Sequence, residues 1–469
     1  MAETITAIST APGEGGIGVV RVSGAESENI MRKLMKNCPE EIKPRYAYFG
    51  KVVADSKNAS SEVIDEAIFL LMKSPASYTG EDMLEIQAHG SNVSLKKILA
   101  AILDSGTNGI RMAEPGEFTK LAFLNGKMDL SQAEAVIDII KAKTDLSLEI
   151  AEGQREGRLS ENIKTIREQL LDILAEMAVD IDYPDEDYND SLEAHSDTVI
   201  DLKRVLDDVK TLLDTVSIGK IAREGIRTVI VGKPNAGKSS LMNAILGEGR
   251  VIVTDIPGTT RDTVEESATL GGIPIVLIDT AGLRESDDKV EKIGIERTAH
   301  AIESADIVIL VLDGSHPLDE EDEQVLTYLE KMSADHILTV INKKDLGKSV
   351  NETELNERLP GVRMITTSLV GKGALEAAHK VSDAIGEMFE LSSIRVKEMN
   401  IVTNERHIKM LKNAVTDLDD AIAMLQNGEP IEVAELSAHY AYDSLGAIIG
   451  EEVGDEVLDT VFSKFCLGK

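Results

Sequence analysis

Residues 227–246, RTVIVGKPNAGKSSLMNAIL, constrain this chain more than any other stretch. A β-branched run from Thr228 to Val231 stops at a glycine, and an amphipathic helix follows with Leu241, Met242, Ile245 and Leu246 on its apolar face. Between them lies Gly232-x-x-x-x-Gly237-Lys238-Ser239, the spacing of a phosphate-binding loop. Successive backbone N–H groups of such a loop wrap a chain of phosphates, and the following helix presents its positive end to them. Glycine permits the close approach, Lys238 reaches the terminal phosphates, and the Ser239 hydroxyl can hold Mg²⁺. A glycine-rich turn that merely precedes a helix would account for the glycines alone. Strand, spacing and helix together point to nucleotide binding through Asn235, Ala236, Gly237, Lys238, Ser239 and Ser240.

Three further segments fit the same reading. Asp279-Thr280-Ala281-Gly282 follows the second expected strand of this region, where an aspartate orients the Mg²⁺ water shell and a glycine N–H meets the last phosphate. Asn342-Lys343-Lys344-Asp345 closes a later strand. Guanine presents N1–H and an exocyclic amine side by side, so a carboxylate at Asp345 selects GTP over ATP. Such paired hydrogen bonds discriminate by roughly 10⁴–10⁵. Ser368 continues the base pocket, with Leu369 where alanine is commoner. The segment Thr254-Asp255-Ile256-Pro257-Gly258-Thr259-Thr260 has the place of a switch, and Thr260 would complete Mg²⁺ coordination when a γ-phosphate is present. Leu283 stands where a glutamine would position the attacking water, so help must come from elsewhere. Asn235, Thr254 and carbonyls of the switch segment can cradle a monovalent cation, and Glu291 is the nearest carboxylate able to steer a water.

At 469 residues, two to four domains are expected. No apolar run is long enough to span a membrane, no signal pattern opens the chain, and Cys38 and Cys466 form no disulfide framework or zinc spacing. A cytoplasmic setting is the expectation. The formal net charge of −34 opposes sequence-independent nucleic-acid binding, which needs Lys and Arg to displace counterions. If the chain acts on RNA, a more basic partner or a local patch carries most of the grip.

Residues 1 to about 121 read as α+β, with strands at Thr4–Thr10, Gly18–Val22, Ala67–Leu71 and Met83–Gln87 and helices at Ser27–Met35 and Asn92–Asp104. Gly13-x-Gly15-x-x-Gly18 imitates a dinucleotide fingerprint, but Val19-Val20-Arg21-Val22 alternates like a strand where that fingerprint requires a helix. From about Leu121 the period becomes helical: Leu124–Lys143, a long helix through Ile163–Met177, an acidic connection at Asp180–Asp190, and Leu192–Val216, with Ser217–Gly225 as a linker. The acidic connection lacks the glycine and terminal glutamate of a calcium loop. Residues 226 to about 387 alternate strand and helix, as a mostly parallel sheet does. Its strands are Arg227–Val231, Ile273–Asp279, Ile307–Asp313, His336–Asn342 and Val362–Thr367, with Thr263–Leu270 antiparallel to the second. From about Ile394 the chain is helical again, over Ile408–Met424, Ile431–Ile449 and Glu452–Lys464.

GKPNAGKSS, TDIPGTTRD, DTAGLRE…VEKIGIER and NKKD, flanked by PGEGGIGVVRVSG, SYTGEDMLEIQAHG, EFTKLAFLNGKMDLSQAEAV and the terminal FCLGK, resemble the MnmE (TrmE) family of tRNA-modification GTPases from end to end. The resemblance implies a multidomain α/β and α fold: an α+β folate-binding and dimerisation domain over 1–121, a helical domain in two parts (122–220 and 388–469), and an inserted P-loop, Ras-like G domain over 221–387. It implies a homodimer whose G domains pair in response to K⁺ and GTP. Asn235, Thr254, Ile256 and Thr259 match the family's potassium site, Ser239 and Thr260 its magnesium site, and Glu291 its catalytic glutamate. Arg21, Glu85 and Lys127, with Lys469 nearby, match its positions for 5-formyl-tetrahydrofolate or a related one-carbon folate. Cys466 matches the cysteine of the terminal Cys-x-Gly-Lys motif, near the modification chemistry. The implied partner is the flavoprotein MnmG (GidA), in a hetero-oligomer acting on carbon five of the wobble uridine of certain tRNAs. Departures are Ser91-Asn92, where a further glycine is usual, and Leu369. A rival expectation is a ribosome-assembly or translation-switch GTPase without modification chemistry; another is a nucleotide-gated binding protein with negligible hydrolysis.

Overall fold

The computed structural model describes residues 3–55, 58, 61–106, 109–183, 195–248, 265–278, 301–347, 349–389, 399–451 and 453–469. The chain divides into two compact units: Met1–Ile137 with Arg155–Val179 and Glu435–Lys469, and Asp138–Gln154 with Asp180–Ala434. No helix among the described residues is long and apolar enough to cross a membrane.

The first unit is built on a six-stranded sheet of β1 (Thr4–Ile8), β2 (Gly15–Ser23), β3 (Ala47–Val53), β4 (Val63–Met72), β5 (Met83–Gly90) and β6 (Ile110–Met112), in the order β3-β4-β5-β2-β1-β6. Alternation places Val20, Val22, Phe69, Leu71, Leu84 and Ile86 on one face. There they pack with Ile30, Met31 and Leu34 of α1 (Ser27–Leu34) and Ile98 and Ile102 of α2 (Asn92–Leu103). Ile5, Ala7 and Met83 meet Phe118 of α3 (Glu117–Leu124) in a second cluster. Gly15 and Gly18 of the false fingerprint lie in β2 itself, with Gly13 just before it, so no helix opens there. A Cβ on Gly90 would sit 2.5 Å from the Gly15 carbonyl, and one on Gly18 would strike Leu95. These glycines let strands and helix approach closely.

Two strands fall outside the sequence expectation. β3 is an edge strand with mostly unburied side chains, and β6 has three residues, too few to show a period. The expected continuous helix over Leu124–Lys143 is also corrected. α3 ends before Gly126, which has φ +66°, and α4 runs over Leu130–Lys141. Asp129 caps α4: its carboxylate accepts the Gln132 N–H at 2.9 Å, while its own N–H donates to Gln132 Oε1 at 2.9 Å. That reciprocal pair is a capping box. Leu130, Ala133 and Ile137 then pack with Leu458, Val461 and Phe462 of the last helix, Asp455–Phe462.

Two more helices contribute to this unit, α6 (Arg158–Asp182, through Val179) and the helix Ile431–Ile449 (from Glu435). Arg167 joins them. Its guanidinium lies 4.0 Å from the Tyr442 ring centroid and 2.6 Å from the Glu451 carboxylate, over Gly446, where a Cβ would crowd it at 3.0 Å.

The second unit holds the other sheet: β7 (Ile226–Val231), β8 (Glu265–Leu270), β9 (Ile273–Ile278), β10 (Ile307–Asp313), β11 (Ile337–Asn342) and β12 (Arg363–Thr366). The order is β12-β11-β10-β7-β9-β8; all pairings are parallel except that of β8, which runs antiparallel to β9 as the sequence implied. β10 is buried at every residue, which explains its unbroken apolar run, since a covered parallel strand faces no water. Ile307, Ile309 and Val311 point toward Leu241 and Ile245 of α9 (Lys238–Glu248) and Val381 and Ile385 of the helix Lys372–Met388. Val308, Leu310 and Leu312 pack with Leu326 and Leu329 of α10 (Glu320–Leu329) and Leu355 of α11 (Glu352–Arg358).

Helices from both sides of this sheet in sequence also belong to the unit, among them α5 (Asp145–Arg155, through Gln154). α7 (Ser196–Asp214) lies on the helix Glu405–Gln426, with Lys210 and Asp419 3.6 Å apart. The expected linker Ser217–Gly225 is instead helical, as α8 (Val216–Glu224). Its Gly219 carries the reason. A Cβ there would lie 2.0 Å from the Val402 carbonyl, so a residue that lowers helix propensity is present for tertiary contact.

Candidate functional site

β7 ends at Val231, the chain turns at Gly232, and α9 begins at Lys238. Gly232 has φ +139°, and a Cβ on it would lie 2.1 Å from the Val311 carbonyl. Gly237 has φ +116°, with a Cβ position 2.2 Å from Asn342 Nδ2. Both glycines are therefore required by backbone shape and by space. Asn235 adopts φ +61°, a left-handed conformation that asparagine tolerates. The Lys238 ammonium donates to the carbonyls of Gly232 and Lys233 at 2.8 Å each, which folds it back over the loop. Ser239 and Ser240 are exposed on the first turn of α9.

Lys233 anchors the other side of this loop. Its ammonium lies 2.7 Å from Asp319 and 2.8 Å from the buried Asp322, the two residues of the capping box that opens α10. Burial pulls the Lys233 pKa down, but the two carboxylates outweigh it and raise the value.

Asn342 ties three loops together. Its Nδ2 donates to the Ala236 carbonyl at 2.7 Å, and its Oδ1 accepts the Leu369 N–H at 3.0 Å. That second bond uses the backbone of residue 369, so leucine satisfies it as alanine would. The Lys344 N–H donates to Thr367 O at 3.0 Å, and the Ser368 hydroxyl donates to Asp345 at 2.6 Å. Asp345 is exposed at the open edge of this corner. Lys343, with φ +63°, turns its ammonium onto Asp313 at 2.6 Å. Burial pushes the Asp313 carboxyl up, but hydrogen bonds from Lys343 and Ser315 bring it down to about 2. A carboxylate depressed in this way stabilises the fold above its ordinary value of 3.8, and the contribution is lost as pH falls through about 2.

Thr254, Asp255, Ile256, Pro257, Gly258, Thr259, Thr260, Asp279, Thr280, Ala281, Gly282, Leu283 and Glu291 lie outside the described residues. The described structure brings Asn235, Ala236, Gly237, Lys238 and Ser239 together with Asn342, Lys343, Asp345 and Ser368 at the C-terminal ends of β7 and β11. Lys233, Asp319, Asp322 and Asp313 escaped the sequence reading. For Asp313 a signal existed, a charged residue closing a fully apolar strand.

A second constellation lies in the first unit. Arg21 and Glu85 are register partners across β2 and β5, 2.8 Å apart, and the Arg21 guanidinium lies 5.9 Å from the Tyr78 ring centroid. Tyr78 bonds Thr119 at 2.9 Å, and burial pushes its hydroxyl pKa up. The chain terminus joins them. A Cβ on Gly468 would sit 2.5 Å from the Ile8 carbonyl, so the tail lies directly against the end of β1. Half-buried Lys469 has its pKa lowered first by burial and then by the Arg21 charge, against the opposing pull of Glu85 and Cys466. Lys127 is exposed and donates to the Pro75 carbonyl at 3.0 Å, with its stem against Gly80 in the loop that carries Tyr78. Cys466 is an exposed free thiol whose carbonyl accepts the Gly116 N–H at 3.5 Å. Arg21, Glu85 and Lys469 are thus one group, with Lys127 on a neighbouring loop. Two cations, a carboxylate and a tyrosine ring suit an anionic ligand with a flat ring system.

Comparisons with known proteins agree along the whole chain. A family profile described as the N-terminus of the GTP-binding protein TrmE matches residues 4–127, and one for the MnmE helical domain matches residues 130–466. The chain is 44% identical to the tRNA modification GTPase MnmE of Clostridioides difficile over 100% of this chain and 99% of that one. It is 42% identical to the protein of that name from Alkaliphilus oremlandii and 41% identical to that of Geobacillus kaustophilus, each again over 100% of this chain and 99% of the relative. A partial likeness to the G domain of the T. maritima FeoB iron transporter covers 35% of this chain and 98% of that one, at 29% identity and a TM-score of 0.25.

Proposed function

Because the chain belongs to the MnmE family of tRNA modification GTPases, we propose that it hydrolyses GTP in a potassium-stimulated reaction coupled to pairing of G domains across a homodimer. Together with the flavoprotein MnmG (GidA), it modifies carbon five of the wobble uridine of certain tRNAs to carboxymethylaminomethyl-uridine. Residues 1–121 serve as the folate-binding and dimerisation domain, 221–387 as the G domain, and 122–220 with 388–469 as the helical domain that flanks it in sequence. The observation that carries the nucleotide reading is the Asn342 side chain, which locks the phosphate loop at Ala236 to the corner that holds Asp345.

In this mechanism the Gly232–Ser239 backbone surrounds the phosphates, and Lys238 exchanges its carbonyl contacts for phosphate oxygens. Asp345 accepts the guanine N1–H and amine. The loop fits that role, since its path needs positive φ at Gly232 and Gly237, where a Cβ would strike the Val311 carbonyl and the Asn342 amide. Ser239 and Thr260 would hold Mg²⁺, which would supply positive charge against the phosphates. Asn235, Thr254, Ile256 and Thr259 would hold K⁺, which supplies the positive charge that an arginine finger provides elsewhere. Glu291 steers the attacking water that Leu283 cannot touch. The strength of that dependence is testable: turnover in KCl is expected to exceed turnover in NaCl by at least tenfold, and equal rates in both salts would refute the role given to K⁺.

The Arg21–Glu85–Lys469 group, with Lys127, binds 5-formyl-tetrahydrofolate or a related folate, which supplies the one-carbon unit when bound. Cys466, on the same tail, stands near that chemistry. Removing a charge-assisted contact costs about 1.5–3 kcal/mol, so Arg21→Ala is expected to weaken folate binding by roughly tenfold or more. The pH profile has a definite sign. Lys469 loses its proton earlier than an ordinary lysine, so affinity for the anionic ligand falls as pH rises through that lowered value. Calorimetric titration of 5-formyl-tetrahydrofolate from pH 7 to 10 checks both. No binding by the unaltered protein would favour a GTPase switch without modification chemistry.

A further inference from the structure

We propose that Asp313 is a positioning residue for guanine selection, acting through Lys343 on the turn that presents Asp345; the inference rests on the GTPase reading above. Asp313 closes β10 and is the register partner of Asn342 on β11. The next residue continues that partnership along the backbone. The Gly314 N–H donates to Asn342 O at 2.8 Å, and a Cβ on Gly314 would meet the same oxygen at 2.7 Å. The end of β10 and the start of the base loop therefore touch without intervening side chains.

The carboxylate has a fixed orientation. One oxygen of Asp313 accepts both the N–H and the hydroxyl of Ser315, at 3.0 and 2.5 Å. The other is thereby aimed at the Lys343 ammonium, 2.6 Å away. Asp313 is 7% exposed, so water reaches the carboxylate end of this pair poorly. Lys343 needs such a tether, because its φ of +63° is a left-handed conformation that lysine rarely adopts. The same turn places the next two residues: Lys344 N–H reaches Thr367 O, and Asp345 comes within 2.6 Å of the Ser368 hydroxyl. The Asp313–Lys343 pair thus holds the backbone that aims Asp345 at the base.

Loss of the Asp313 charge frees Lys343 and lets the turn relax. Asp345 then meets the N1–H and the 2-amino group less well together. Inosine triphosphate lacks that amine, so the ratio of GTP to ITP affinity reports the aim of Asp345 separately from general binding. The full-length protein and its D313N, K343M and D313N/K343M variants are titrated with GTP, ITP and ATP, and steady-state turnover is measured beside binding. D313N is expected to lose at least tenfold in GTP affinity and at least threefold in the GTP/ITP ratio, with KM raised and kcat changed less than twofold. The double variant is expected to bind GTP no more weakly than K343M alone, because both substitutions break one tether. An unchanged GTP/ITP ratio in D313N, or losses that add in the double variant, would overturn the proposal. S315A keeps the charge but loses one donor to it, so it serves if D313N does not fold. A smaller fall in the GTP/ITP ratio supports the role and an unchanged ratio overturns it. Unaltered protein that fails to prefer GTP over ATP would overturn the GTPase reading itself, and this proposal with it.

Discussion

Asparagine at position 345 is expected to cost the protein its preference for GTP and to confer one for xanthosine triphosphate. The Asp345 carboxylate offers two acceptors, and guanine opposes them with N1–H and its amine. An asparagine amide offers one acceptor and one donor. Its NH₂ then faces the guanine amine, two donors in apposition, whereas xanthine carries a carbonyl there. A site built around paired hydrogen bonds discriminates by roughly 10⁴–10⁵, so the change in the GTP/XTP preference spans several orders of magnitude. Ser368 holds one carboxylate oxygen at 2.6 Å, and the asparagine oxygen can accept the same bond. The substitution therefore changes recognition with little effect on the loop. Competition of GTP and XTP against a fluorescent guanine nucleotide measures the switch, and unchanged GTP affinity would remove Asp345 from the base contact.

The second large effect is expected on hydrolysis. Glu291→Ala should bind GTP as the unaltered protein does and turn it over in KCl about 10²–10⁴-fold more slowly, the range for a group that accepts or steers a proton in the transition state. The expectation rests on Leu283, which comes directly after the Asp279–Gly282 motif and has no polar atom to orient water. An effect confined to kcat places Glu291 in the chemical step. Wild-type turnover would take it out of the mechanism.

Much of the nucleotide fold was legible because its signals are local. The buried parallel strand is apolar without interruption from Ile307 to Leu312, and the phosphate loop needs glycine at 232 and 237 for its own positive-φ backbone. The break between α3 and α4 was also legible in principle, since Asp129 and Gln132 spell a capping box ahead of the apolar run. Other elements had no such signal. β6 exists because three residues pair with β1, and α8 holds a glycine at 219 for its contact with Val402, far along the chain.

The amino-acid order alone determined the phosphate cradle, the choice of guanine and the absence of a water-positioning side chain at 283. Each of these depends on residues a few positions apart, whose backbone geometry fixes their relative placement. Only the tertiary structure decided that Arg21 meets Glu85, that the terminal lysine feels both their charges, and that Asp313 holds Lys343. Those meetings depend on strand register and on the docking of the tail at Ile8. Register and docking are set by the packing of whole sheets and helices, which no short stretch of sequence contains.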